Sequence, residues 1–175
     1  MVQVTTEAVK ALREETGAGI MDCRRALSES GGDVTKAKGI LRERGLAAAA
    51  KKGERETSQG LVEAYIHGGG RIGALVELNC ETDFVARTDE FKQLARHIAM
   101  QVAAMSPRWV SKEEARNQLS EGEELSDAEI EAQSLLSQAY IRDQSQTIQQ
   151  LITETIHKTG ENIRVRRFAR FELGK

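Results

Sequence analysis

The chain has one proline and two cysteines, and only 4% of its 175 residues are aromatic. Proline is the residue that most strongly interrupts a helix, so its scarcity leaves nearly every stretch free to be helical. Cys23 and Cys80 have no neighbouring cysteine and no suitably spaced histidine, which argues against a zinc site and against a disulfide framework. Both lie among apolar positions and read as buried free thiols. No apolar run is long enough to span a bilayer and no charged-then-apolar leader of the secretory type opens the chain, so a cytoplasmic location is expected, or the inside of an organelle after processing. Positive charge is not in excess either: 25 Lys and Arg against 27 Asp and Glu give a formal net charge of −2, which disfavours a dedicated nucleic-acid binder. The usual catalytic sets are missing. The three histidines, His67, His97 and His157, are scattered, and no His-x-x-x-His, Cys-x-x-Cys or Gly-x-Ser-x-Gly occurs. Asp22, Glu81 and Asp83 could form an acid/base set, but two of them have ready local work as caps. No enzyme, metal or cofactor is therefore expected.

What the chain has is charge in abundance, 30% of residues, and helical periodicity from its start. Thr5 or Thr6 can cap a first helix with Val9 and Leu12 on one face, ended at Thr16-Gly17. Gly19 opens a second with Ile20, Cys23, Ala26 and Leu27 at helical spacing, closing at Ser30-Gly31-Gly32. Asp33 caps a third with Ala37, Ile40 and Leu41 as its stripe, stopped by Gly45, after which Leu46 to Lys52 either continues as helix or frays. Three short helices with tight connections predict a UBA-like bundle over residues 1–52, carrying ten basic against seven acidic residues. Ile20 and Met21 are adjacent, so both cannot face one core and one should be exposed. A polar linker, 53–60, then predicts a tethered module able to reorient.

The remainder, 61–175, reads as an α+β core of a small antiparallel sheet packed with helices. Leu61–His67 and Ile72–Cys80 form a hairpin through Gly68-Gly69-Gly70-Arg71. A phosphate-binding loop is excluded there, because no Gly-Lys-Ser/Thr follows and the next element is a strand. Thr88 caps a helix with Phe91, Leu94, Ala95, Ile98 and Val102 inward, ended by Ser106-Pro107. Arg108-Trp109-Val110 reads as a short extended segment and Ser111 starts another short helix. From Arg108 to Asp143 nine acidic residues face four basic ones, a solvated face. Ser126-x-x-Glu129 is a capping box. Ser145 or Thr147 opens a last helix carrying Ile148, Leu151, Ile152 and Ile156, stopped by Gly160. The closing strand, 162–173, is expected to put Ile163, Val165, Ala169, Phe171 and Leu173 on one face and Arg164, Arg166 and Arg170 on the other. Its four arginines invite an RNA reading, but no paired aromatics accompany them.

Between these elements lies Glu77-Leu78-Asn79-Cys80-Glu81-Thr82-Asp83-Phe84-Val85-Ala86-Arg87. Val76, Leu78 and Cys80 alternate with Glu77 and Asn79 as in a half-buried strand, and the alternation stops at Thr82-Asp83, which can start a turn or helix. Phe84 follows on that polar corner, either an anchor turned back into the core or a wedge offered to a partner. The run resembles a signature of the bacterial-type translation elongation factor Ts family, the guanine-nucleotide exchange factors for elongation factor Tu. A second match is Leu12-Arg13-Glu14-Glu15-Thr16-Gly17-Ala18-Gly19-Ile20-Met21-Asp22-Cys23-Arg24-Arg25-Ala26-Leu27, where the family more often has lysines at Arg24 and Arg25 and often Met at Ile20.

The resemblance implies a protein partner, elongation factor Tu, and no direct contact with nucleic acid or membrane. It implies that Thr82, Asp83, Phe84 and Val85 dock against the GTPase domain, with Phe84 entering near its magnesium-binding side. It implies further contacts from Arg13, Ile20 and Met21 to the nucleotide-binding domain and from His67 in the core. Long family members carry two related halves in the core, whereas this chain has one hairpin and one closing strand, a condensed form. A single three-stranded layer with an exposed face invites a second copy, so a homodimer through that sheet is expected. The competing class is a UBA-like adaptor or ribosome-associated RNA-binding protein without exchange activity.

Overall fold

The structure, a computed structural model, describes residues 4–120 and 124–175. Part of the expected acidic face, 121–123, and the start of the N-terminal bundle, 1–3, lie outside the described residues. Three helices come first: α1 (Thr6–Thr16), α2 (Ile20–Glu29) and α3 (Val34–Lys52). Thr5 Oγ1 accepts the Ala8 N–H at 3.2 Å, and Gly17 ends α1 in the left-handed region. Their small core is Val9, Leu12, Ala18, Cys23, Ala26, Leu27, Ala37 and Leu41.

Two expectations fail in this bundle. Gly45 does not stop α3, which runs on to Lys52. Glycine costs about 1 kcal/mol in a helix interior, and packing of α3 on a later helix, with Ala49 against the core, offsets that cost. Ile20 is not part of the bundle core; both Ile20 and Met21 are 56% exposed, at the first turn of α2.

The mixed α+β core follows. Strands β1 (Gln59–His67) and β2 (Ile72–Cys80) pair antiparallel from Gln59↔Cys80 to His67↔Ile72. Gly68, Gly69 and Gly70 all take positive φ between them, a run that side chains would not tolerate. A single turn, α4 (Asp83–Ala86), leads into α5 (Asp89–Met105), whose Phe91, Leu94, Ala95, Ile98 and Val102 are buried as the stripe predicts. Short helices α6 (Lys112–Gln118) and α7 (Asp127–Gln133) enclose Trp109, Ala115 and Ile130 in a satellite cluster. A short ladder absent from the sequence reading, β3 (Ala139–Tyr140) with β4 (Asp143–Thr147), precedes α8 (Ile148–Thr159). Thr147 and Gln150 form the capping box of α8. Arg42 of α3 donates to Gln150 Oε1 at 2.7 Å, so the bundle meets the core along α3 and α8.

The closing strand β5 (Ile163–Glu172) pairs with β2, giving the sheet order β1-β2-β5. The expected faces of this strand are wrong over its second half. Glu77 pairs with Arg167 but Leu78 with Val165, so Arg166 is an extra residue, a β-bulge. Because side chains alternate with a period of two, one inserted residue exchanges the faces. Ile163 and Val165 are buried, while Phe171 and Leu173 are 66% and 73% exposed on the far side. Together with Val62, Ile66 and Leu75 they leave an apolar outer sheet face; the inner face packs Ala74, Val76, Leu78 and Cys80 onto α5 and α8.

Candidate functional site: a pinned corner carrying Phe84

Val76, Leu78 and Cys80 drive β2 into the core, and the chain must leave the sheet after Cys80. Thr82 makes the exit. Its backbone is extended and its hydroxyl accepts the Val85 N–H at 3.4 Å, starting α4. Asp83 is the first residue of this turn and pairs with Arg87 at 2.7 Å across i,i+4. Ala86 turns inward and is buried; Val85 is half-buried against the core. Phe84 is the residue left pointing out, and it is 78% exposed. Of the two orientations open to this ring, the structure shows the outward one.

A turn of four residues has little stability of its own, because the cost of nucleating a helix is not yet recovered. Polar contacts from Glu161 and Asn162, just before β5, supply what the turn lacks. The Glu161 carboxylate accepts the Thr82 N–H at 3.0 Å and the Thr82 hydroxyl at 2.6 Å. Glu81 accepts the Asn162 N–H at 2.6 Å and also pairs with Arg55 at 3.4 Å. The Asn162 side-chain amide donates to the Arg55 carbonyl at 2.8 Å and to the Gly53 carbonyl at 3.4 Å, which ties the segment after α3 to the same corner. Cys80 Sγ is fully buried and donates to the Thr82 carbonyl at 3.1 Å; burial first, then the charges of Glu161 and Asp83, push its thiol up to about 11. Glu161, Asn162 and Arg55 escaped the sequence reading. Their one signal was a pair of polar residues, Glu161-Asn162, set between the stop at Gly160 and an apolar strand.

The other expected contact residues lie apart from this corner. Arg13 is exposed in the last turn of α1 and offers its carbonyl to the Gly17 N–H. Ile20 and Met21 form a small apolar tip on α2. His67 is exposed at the far end of β1, stacked on Tyr65 with the two joined at 3.3 Å. Eight strand steps separate it from Gln59 beside the corner, roughly 25 Å. Among the described residues, no group of three or more His, Cys, Asp or Glu is arranged to hold a metal ion, and no helix is long and apolar enough to cross a membrane.

Comparison with known proteins identifies the family. Residues 46–134, which include the corner, match the family model described as elongation factor TS. The chain is 53% identical to elongation factor Ts of Heliobacterium modesticaldum, covering 98% of this chain and 91% of that protein. It is 50% identical to elongation factor Ts of Caldanaerobacter subterraneus, covering 98% of each. With elongation factor Ts of Anaeromyxobacter dehalogenans the identity is 46%, over all of this chain and 90% of that protein. The family match across the corner, and identity near one half along the whole length, place the chain in the elongation factor Ts family, whose members exchange guanine nucleotide on elongation factor Tu.

Proposed function

We propose that the corner Thr82–Val85 is the part of this exchange factor that opens the nucleotide site of elongation factor Tu, with Phe84 as the wedge and Asp83 beside it as a polar contact. The observation that carries the reading is a phenylalanine 78% exposed on a turn held by charged hydrogen bonds. A ring kept in water is disfavoured unless a partner covers it, and a rigid mounting lets its burial do work on that partner. Mg²⁺ requires near-ideal octahedral oxygen geometry, so shifting the elements that hold it weakens GDP binding. The coupling is reciprocal: the factor by which this chain lowers GDP affinity is the factor by which GDP lowers affinity for this chain, and rebinding nucleotide releases it. No covalent bond is made or broken, and the action is cytoplasmic.

Arg13, Ile20 and Met21 form a second contact in this reading, an exposed cation on α1 and two exposed apolar side chains on α2. His67 is a third, at the other end of β1. Contacts this far apart suit a partner of several domains. Release of fluorescent GDP from purified bacterial elongation factor Tu tests the whole reading: acceleration by this protein is expected, and GDP release unchanged at saturating protein refutes it.

The outer sheet face supports a homodimer. Val62, Ile66, Leu75, Phe171 and Leu173 are exposed on it, and Ile66 lies over Gly73. Three strands of nine or ten residues present roughly 14 by 30 Å. That is less than a stable interface buries, so the dimer should be weak and dissociate on dilution.

A further inference from the structure

We infer that Glu161 is a positioning residue for nucleotide exchange: its carboxylate fixes the direction in which the Asp83–Phe84 turn meets the GTPase. The inference rests on the exchange reading of the corner given above. In the sheet, β2 and β5 pair as far as Cys80↔Ile163. One step further would bring Glu81 opposite Asn162, and the next Thr82 opposite Glu161. At these two steps carboxylates take over from backbone carbonyls as acceptors. Glu81 receives the Asn162 N–H, and Glu161 receives the Thr82 N–H. The two segments cap one another, and β2 can leave the sheet without stranding its donors.

Glu161 does more than close the ladder. A threonine hydroxyl has one proton, and at Thr82 that proton goes to Glu161 at 2.6 Å. The hydroxyl's lone pairs are thereby left for the Val85 N–H, the bond that caps α4. The carboxylate thus sets both the backbone and the rotamer of the residue from which Phe84 is hung. Its placement carries a local cost. Glu161 follows Gly160, the C-cap of α8, where the helix macrodipole disfavours negative charge. A neutral or basic residue would suit that helix better, and the charge is accounted for by Thr82, across 79 residues of sequence.

The test compares Glu161→Ala, Glu161→Gln and Phe84→Ala in stopped-flow release of fluorescent GDP from elongation factor Tu, over a range of factor concentrations. Contacts from the α2 tip and the rest of the core are untouched by the Glu161 changes. The saturating release rate of Glu161→Ala is therefore expected to fall about tenfold, close to the lower bound for a single charged hydrogen bond, with the half-saturating concentration within about threefold of the parent. Glu161→Gln keeps an acceptor oxygen and should recover part of the lost rate. A parental rate for Glu161→Ala beside a defective Phe84→Ala overturns the positioning role and leaves the wedge standing. Parental rates for both overturn the wedge itself. A loss confined to half-saturation, or equal losses in the Ala and Gln variants together with a lowered melting temperature, assigns Glu161 to binding or to folding and also overturns the role proposed.

Discussion

Replacing Phe84 by alanine is the perturbation for which the structure gives a magnitude. A phenylalanine presents about 200 Å², and at 78% exposure on the order of 150 Å² remains to be buried by a partner. At ~25 cal/mol per Å² the ceiling is about 4 kcal/mol, and what alanine still buries brings the expected loss to about 2–3 kcal/mol. The second-order rate constant for GDP release should then fall about 30- to 150-fold. How the loss divides is informative. If the ring seats fully before nucleotide leaves, the loss appears in half-saturation; if it seats only as the GDP contacts break, the loss appears in the saturating rate, as a wedge requires. The isolated protein should hardly notice the change, because an exposed side chain contributes within about 0.5 kcal/mol to folding, or about 2 °C in melting temperature. Stopped-flow release of fluorescent GDP and a thermal melt on the same sample decide the matter. Exchange at the parental rate refutes the argument. A melting temperature that drops by many degrees refutes it differently, by showing the ring to be an anchor.

Other outcomes follow from the same structure. Phe171→Lys, on the outer sheet face, should shift sedimentation at tens of micromolar from dimer to monomer while leaving the fold intact; a parent already monomeric there removes the dimer reading. His97 is half-buried against Tyr140, and burial, with Arg142 and Arg96 nearby, holds its imidazole below the ordinary 6.5. The unfolded chain then binds a proton more readily than the folded one, so this group's contribution is fully present above about pH 6.5 and is lost as pH falls through the folded pKa. His97→Gln should flatten the fall in melting temperature between pH 7.5 and 5; identical slopes for both proteins would contradict this.

Much of the fold could be read without coordinates because it rests on local rules. Thr88 and Ser126 cap the helices they were expected to cap, Thr5 rather than Thr6 and Thr147 rather than Ser145 cap the first and last, Gly17 and Gly160 end theirs, and the stripe from Phe91 to Val102 is buried. The pair β3–β4 went unseen, since Asp143–Thr147 has no apolar alternation to announce a strand. For the corner, the sequence offered two orientations of Phe84 and the tertiary structure decides for one, since burying Ala86 and seating Val85 against the core leaves Phe84 outward.

The division has a physical cause. Periodicity, capping and turn chemistry act over three or four residues, and these alone determined the helices, the hairpin and the place where β2 must end. Interactions across the chain decided the rest. The helix α3 runs on past Gly45 because its later turns pack against α8 and the core. Arg166 bulges because β5 must match β2, which exchanges the faces of the last strand and moves Phe171 and Leu173 to the outside. Glu161 finds Thr82 because two strands happen to run out together. A one-residue slip or a bond across 79 positions leaves no mark on local pattern, since its energy exists only once both segments are in place.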